Sequence, residues 1–154
     1  HKPDLAERVV GPNAARIAAT CGAVGIDDIA YFKHAALVMA GVPIRAARLS
    51  YVGEAGWEIT CAAKDASALY AAMTGAGAVP AGLFAQTAMR IEKGFCAMGH
   101  ALDGDVTPVA VGLDFALRKN GGYLGAGAVA AAKAAGETSR VCTILLDVGD
   151  AVPL

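Results

Sequence analysis

The sequence predicts an α+β fold, an antiparallel sheet with helices packed on one face. Three observations predict it. Residues 31–61 hold a block of strands in which apolar and polar residues alternate. The period changes to that of a helix near residue 63. The linkers inside the strand block are too short for parallel crossovers. Strands in a block followed by helices suit α+β better than an alternating α/β pattern. A length of 154 residues fits one domain, and 56% apolar content supplies a core. Much of that content is alanine, and 19 residues are glycine, so thin side chains and close packing are expected.

Leu5, Val9 and Val10 mark a short strand over residues 4–10. Gly11-Pro12-Asn13 opens a helix, with Pro12 expected at its first position. Ala14, Ile17, Ala18 and Cys21 share one face of it, and Gly22 and Gly25 stop it. Tyr31 to Met39, Pro43 to Val52 and Trp57 to Cys61 read as three consecutive antiparallel strands, turned at Gly41 and at Gly53 and Gly56. Asp65 can cap the next helix, over about 64–74, which sets Ala66, Leu69, Tyr70 and Met73 on one face. A helix over 83–93 presents Phe84, Ala88 and Ile91, and Gly94 stops it. Residues 96–124 are rich in turns, with a short strand expected over Gly112 to Leu117. Ala126 to Ala135 is a further helix ended by Gly136, and Val141 to Val148 a final strand.

A net charge of −1 with 18% charged residues argues against a nucleic-acid surface. No apolar run reaches the roughly 18–20 residues of a membrane span. The four cysteines are widely spaced with no C-x-x-C pair, which points to a reducing, cytoplasmic compartment. The start, His1-Lys2-Pro3-Asp4, lacks a signal-peptide pattern and an initiator methionine, so an excised piece of a longer chain is expected.

Candidate chemistry is sparse. Gly125 to Ala130 matches a dinucleotide-binding G-x-G-x-x-A pattern with Asp147 downstream, but no buried strand leads into it. Cys96 and His100 lie four apart without a third ligand near in sequence, so neither a metal site nor a catalytic site is assigned. Arg90, Glu92 and Lys93 fit a solvated helix face or a structural salt bridge, and Arg90 could equally anchor a neighbouring loop. Glu58 stands between Trp57 and Ile59 on the polar face of a strand, either as an ordinary exposed residue or as an acceptor for the N–H edge of a heterocycle.

Residues 48–58, Arg-Leu-Ser-Tyr-Val-Gly-Glu-Ala-Gly-Trp-Glu, resemble the R-x-S-Y-x-G-E-x-G-[WF]-E stretch of the aminomethyltransferase (glycine cleavage T-protein) superfamily. Arg90 to Phe95 resembles its R-L-E-K-G-Y stretch, Gly99-His100 to Thr107-Pro108 its G-H-D-L…T-P segment, and Gly11 to Ala14 its G-P-x-A helix start. Among its subgroups, the folate-binding region of sarcosine and dimethylglycine dehydrogenases is most similar. The resemblance implies the middle part of a folate-binding module, residues 1–138, and the first strand of a C-terminal barrel domain over 139–154. It implies tetrahydrofolate as ligand and acceptor of a one-carbon unit. FAD would belong to a separate domain that oxidises an N-methyl amine. The pterin-reading carboxylate of the family corresponds to Glu58, with Tyr51 and Glu54 beside it. Phe95 stands where the dehydrogenases carry tyrosine. Gln86 and Thr87 replace an arginine that contacts folate and its acidic neighbour, a departure that favours the dehydrogenase subgroup. The essential aspartate of the family lies upstream of the G-P-x-A helix, so residues 1–154 alone are expected to be inactive. Two other functions stay open: T-protein-like aminomethyl transfer without flavin, and a non-catalytic small-molecule-binding domain.

Overall fold

The computed structural model describes residues 4–136, 138–147 and 149. The chain divides into two units, one ending at Lys93 and one beginning at Gly94.

The first unit is built on a four-stranded antiparallel sheet. Its strands are β1 (Asp4–Val10), β2 (His34–Met39), β3 (Val42–Ala47) and β4 (Gly56–Ala62), in the order β1-β4-β3-β2. The period-2 pattern sets the register. Trp57, Ile59 and Cys61 of β4 point to the core, while Glu58 and Thr60 point the other way. Val42, Ile44 and Ala46 of β3 and Met39 of β2 join the same buried face. Two helices cover it, α1 (Ala14–Thr20) and α2 (Ala66–Gly75). They supply Ala14, Ile17 and Ala18, and Ala66, Leu69 and Met73, to one continuous core. Burying side chains of this size contributes about 1.5–3 kcal/mol each for the larger ones. The expected strand block and helix cover are therefore present, with β2 beginning at His34 and not Tyr31, β3 ending at Ala47 and not Val52, and Tyr70 half-exposed at the rim of the α2 face.

β2 and β3 close through Ala40 (φ 52°) and Gly41 (φ 75°), both left-handed, as a two-residue hairpin turn of the right-handed sheet twist requires. The Ala40 N–H also donates to the Cys21 carbonyl at 2.6 Å, tying the hairpin to the end of α1. β3 pairs with β4 only from Arg45 to Ala47, and Pro43, lacking an N–H, lies beyond that ladder.

Several expectations need correction. Pro12 does not start α1. Asn13 is the N-cap, because Gly11 takes φ 109° and accepts the Ala14 N–H, making a turn before the helix. Asp65 occupies the N-cap position of α2 without capping it. Its carboxylate is taken by Lys64 Nζ, 2.9 Å from both oxygens, and a 3₁₀ turn over Ala63–Asp65 leads into the helix. The helix α3 (Leu83–Glu92) turns Phe84 and Ile91 to solvent and adds no apolar residue to the core. Its inward row is Gln86, Met89 and Arg90, with Arg90 buried. The polar row wins because it meets a cavity and a glycine turn rather than the apolar core.

In the second unit, α4 (Ala126–Ala135) runs between Gly125 and Gly136, both left-handed, as the sequence predicts. No strand forms over Gly112 to Leu117. Asp114–Ala116 is a 3₁₀ turn in which the Ala116 N–H donates to the Leu113 carbonyl and the Leu117 N–H to the Asp114 carbonyl. Asp114 pairs with Lys133 at 2.6 Å. The final strand expected over Val141 to Val148 is not formed in residues 141–147, where the Val141 N–H donates to the Ala110 carbonyl; Val148 lies outside the described residues.

Candidate functional site

Three sequence motifs converge in the first unit. The Gly11 N–H of the Gly-Pro-Asn-Ala start donates to the Ala55 carbonyl at 2.8 Å, inside the 48–58 motif. Gly53 (φ 73°) lies under the aliphatic stem of Lys93, from the 90–95 motif; an added Cβ there would stand 2.6 Å from Lys93 Cδ. Gly56 lies against β1, where an added Cβ would come within 2.6 Å of the Val9 carbonyl oxygen. The glycines of the motif thus serve close approach as well as turning.

Arg48, the first residue of that motif, is structural. Its guanidinium donates to the Asp27 and Ile29 carbonyls at 2.9 Å each, stands 3.7 Å from the Asp27 carboxylate, and lies 5.4 Å from the centre of the buried Trp57 ring. The Trp57 Nε1–H has no acceptor among the described residues.

Where the Gly11–Ala14 and 48–58 motifs meet opens a cavity of about 620 Å³. Polar lining comes from Glu7, Asn13, Tyr51, Tyr70 and Gln86, and apolar lining from residues such as Ile17, Val52, Met73 and Met89. Such a volume and such a mixture suit a drug-sized ligand. Glu7 is on the helix-covered face of β1, opposite Ile59. Desolvation pushes its carboxyl above the ordinary value.

The sequence-derived site residues fall in three places. Tyr51 and Gln86 line the cavity. Glu58 does not; it stands half-buried on the opposite, uncovered face of the sheet, directly across from Arg8 of β1. Arg8 Nη2 and Nε donate to Glu58 Oε2 at 2.8 and 3.1 Å. Arg8 also borders the cavity, so it is common to both locations. Glu54, half-buried, lies in the turn between β3 and β4, outside the cavity lining. Phe95 belongs to the second unit, where it is 38% exposed. Cys96 and His100 lie in the same unit, and no group of three or more metal-ligating side chains occurs among the described residues. The G-x-G-x-x-A stretch is the start of α4, entered from a turn and not from a strand. Sequence reasoning missed Arg8, Glu7 and Arg48. Their roles depend on the β1–β4 register and on a loop packing that no local pattern encodes.

A strand–turn–strand motif locked by its glycines to a Gly-Pro helix start and to a Lys-Gly helix end defines a domain class. The chain belongs to the GCVT N-terminal domain family, which matches residues 6–121. Among its relatives is an aminomethyltransferase of Listeria welshimeri, 34% identical over 139 residues, 88% of this chain and 38% of that protein. An aminomethyltransferase of Streptomyces avermitilis is 34% identical over 153 residues, 94% of this chain and 41% of the relative. The mitochondrial dimethylglycine dehydrogenase of Rattus norvegicus is 31% identical over 153 residues, 94% of this chain and 18% of the relative. The chain therefore spans well under half the length of each. No helix among the described residues is long and apolar enough to cross a membrane.

Proposed function

We propose that this chain is the tetrahydrofolate-binding segment of a sarcosine/dimethylglycine dehydrogenase-like protein, in which a one-carbon unit from an oxidised N-methyl amine is passed to the folate. In this reading residues 1–138 belong to the folate module, residues 139–154 open a barrel domain, FAD sits in a separate domain, and the compartment is the cytosol. The observation that carries it is the meeting of the Gly11–Ala14 and 48–58 motifs at one cavity, with Tyr51 and Gln86 on its wall.

Bound tetrahydrofolate would supply the N5/N10 edge that accepts the one-carbon unit. Tyr51 and Gln86 on the cavity wall fit such a group, and Glu58, outside the lining, is joined to the cavity through Arg8, which borders both. Glu58 Oε2 is held by Arg8, while Oε1 has no partner among the described residues and can accept an N–H from a pterin edge. Tyr51 supplies an aromatic body to the cavity wall and Gln86 a neutral amide. Gln86 bears no charge, so a carboxylate tail gains no ion pair there. That neutrality favours the dehydrogenase subgroup over T-protein-like aminomethyl transfer, which stands as the second reading because relatives of both names match over most of the chain.

The test is titration of tetrahydrofolate into the wild type and Glu58→Gln, with thermal melts alongside. Removing a charge-assisted acceptor is expected to cost about 1.5–3 kcal/mol, roughly 10- to 100-fold in affinity. Equal affinities with intact folding would leave Glu58 an ordinary strand residue.

A further inference from the structure

We infer that Arg8 is a positioning residue for ligand recognition by Glu58, an inference that rests on the folate reading of that carboxylate. Arg8 and Glu58 are 50 residues apart in sequence and directly opposite in the β1–β4 register. Their geometry is unusual in one respect. An arginine commonly grips a carboxylate as a fork, one N–H to each oxygen. Here both donors, Nε at 3.1 Å and Nη2 at 2.8 Å, converge on Oε2 alone. Among the described residues, none donates to Oε1, which keeps its acceptor capacity.

The other flank of Glu58 completes the arrangement. Its partner on β3 is Ala47, whose methyl group is too short to reach the carboxylate. The carboxylate is thus pinned from the β1 side and bordered by a low shelf on the β3 side. A planar ligand edge carrying N–H donors can approach Oε1 over that shelf. Pinning the side chain before the ligand arrives removes part of the ordering cost of binding. The pair is partly exposed, at 47% and 29%, so its value lies in orientation more than in stability.

The experiment is a double-mutant cycle on tetrahydrofolate affinity, measured by titration of the full-length protein. Its members are the wild type, Arg8→Met, Glu58→Gln and the double variant. Arg8→Met is expected to weaken binding roughly 3- to 10-fold, the scale of immobilising one side chain. In the Glu58→Gln background the same change is expected to have no further effect. Arg8→Lys, which keeps the charge but not the two-donor fork, should fall between Met and wild type. A melt of each variant reports folding, and Arg8→Lys serves if the Met variant unfolds. Weakening of equal size in both backgrounds would overturn the inference, because Arg8 would then act independently of Glu58. Unchanged or tighter binding by Arg8→Met would overturn it as well, showing a bystander or a competitor for the carboxylate. If Glu58→Gln itself binds normally, the folate reading of Glu58 fails and the inference falls with it. If Glu58→Gln binds weakly while Arg8→Met binds normally, the positioning role alone fails.

Discussion

Gly56→Ala tests whether the close approach of β1 and β4 holds the first unit together. A methyl group at residue 56 would stand 2.6 Å from the Val9 carbonyl oxygen, 2.6 Å from Val10 Cγ1 and 2.9 Å from Val10 Cα. The Val10 side chain can rotate away, but the other two atoms are backbone. β1 must therefore shift, at the end of the ladder where Val10 pairs with Gly56 and the Gly11 N–H reaches the Ala55 carbonyl. Overpacking of this kind costs about 1–3 kcal/mol. Losing the Gly11–Ala55 hydrogen bond would add about 1 kcal/mol. The expected total, about 3 kcal/mol, lowers the melting temperature by on the order of 10 °C in a domain of this size. The assay is thermal and urea unfolding of the wild type and variant. Gly53→Ala provides the contrast. There the obstacle is the flexible Lys93 stem, and the φ of 73° costs about 1 kcal/mol for a residue with a Cβ. A Gly56→Ala protein that melts within about one degree of wild type would show that the two strands do not approach as described.

Other outcomes follow from the same structure. Ala40→Asn places the preferred residue at the first left-handed position of the β2–β3 turn and should stabilise by about 0.5–1 kcal/mol, read as a raised urea midpoint. Glu7, its carboxyl raised by desolvation, penalises the folded state once it ionises. Its stabilising contribution is present below the ordinary carboxylate value and lost as pH rises through the folded one. Glu7→Gln should therefore melt above the wild type at pH 7, the gain vanishing in acid, with melts across that range as the check. Burial raises the Cys21 thiol, and burial followed by Glu7, Asp65 and Asp4 raises Cys61. Mass-mapped alkylation of the native protein should label the exposed Cys142 first and these two only on unfolding.

The parts of the fold legible in the sequence were those set by local periodicity. Alternation at Trp57, Ile59 and Cys61 marked β4, and the spacing of Ala14, Ile17, Ala18 and Cys21 marked α1. Legibility failed where a distant partner decides the outcome. The apolar row Phe84, Ala88 and Ile91 reads as a core face, yet the Gly53 turn and the cavity select the polar row of α3. Val141 to Leu146 has a strand's composition, but its described residues pair with no strand. At the candidate site, Glu58 was visible as a polar residue in an apolar strand. Its Arg8 neighbour was not, because it is fixed by a pairing across half a hundred residues.

That separation has a kinetic side. The β2–β3 hairpin closes over a two-residue turn and can form early, since little chain entropy is lost in bringing its arms together. β1 reaches its place beside β4 only by closing a loop through the hairpin and α1, at a far greater entropic cost. Docking of β1 is then expected to come late in folding. Substitutions along the β1–β4 seam should hasten unfolding while leaving the refolding rate nearly unchanged, whereas substitutions in the hairpin should slow refolding. On the folate reading of Glu58, the carboxylate on β4 gains its Arg8 support only after that last strand has arrived.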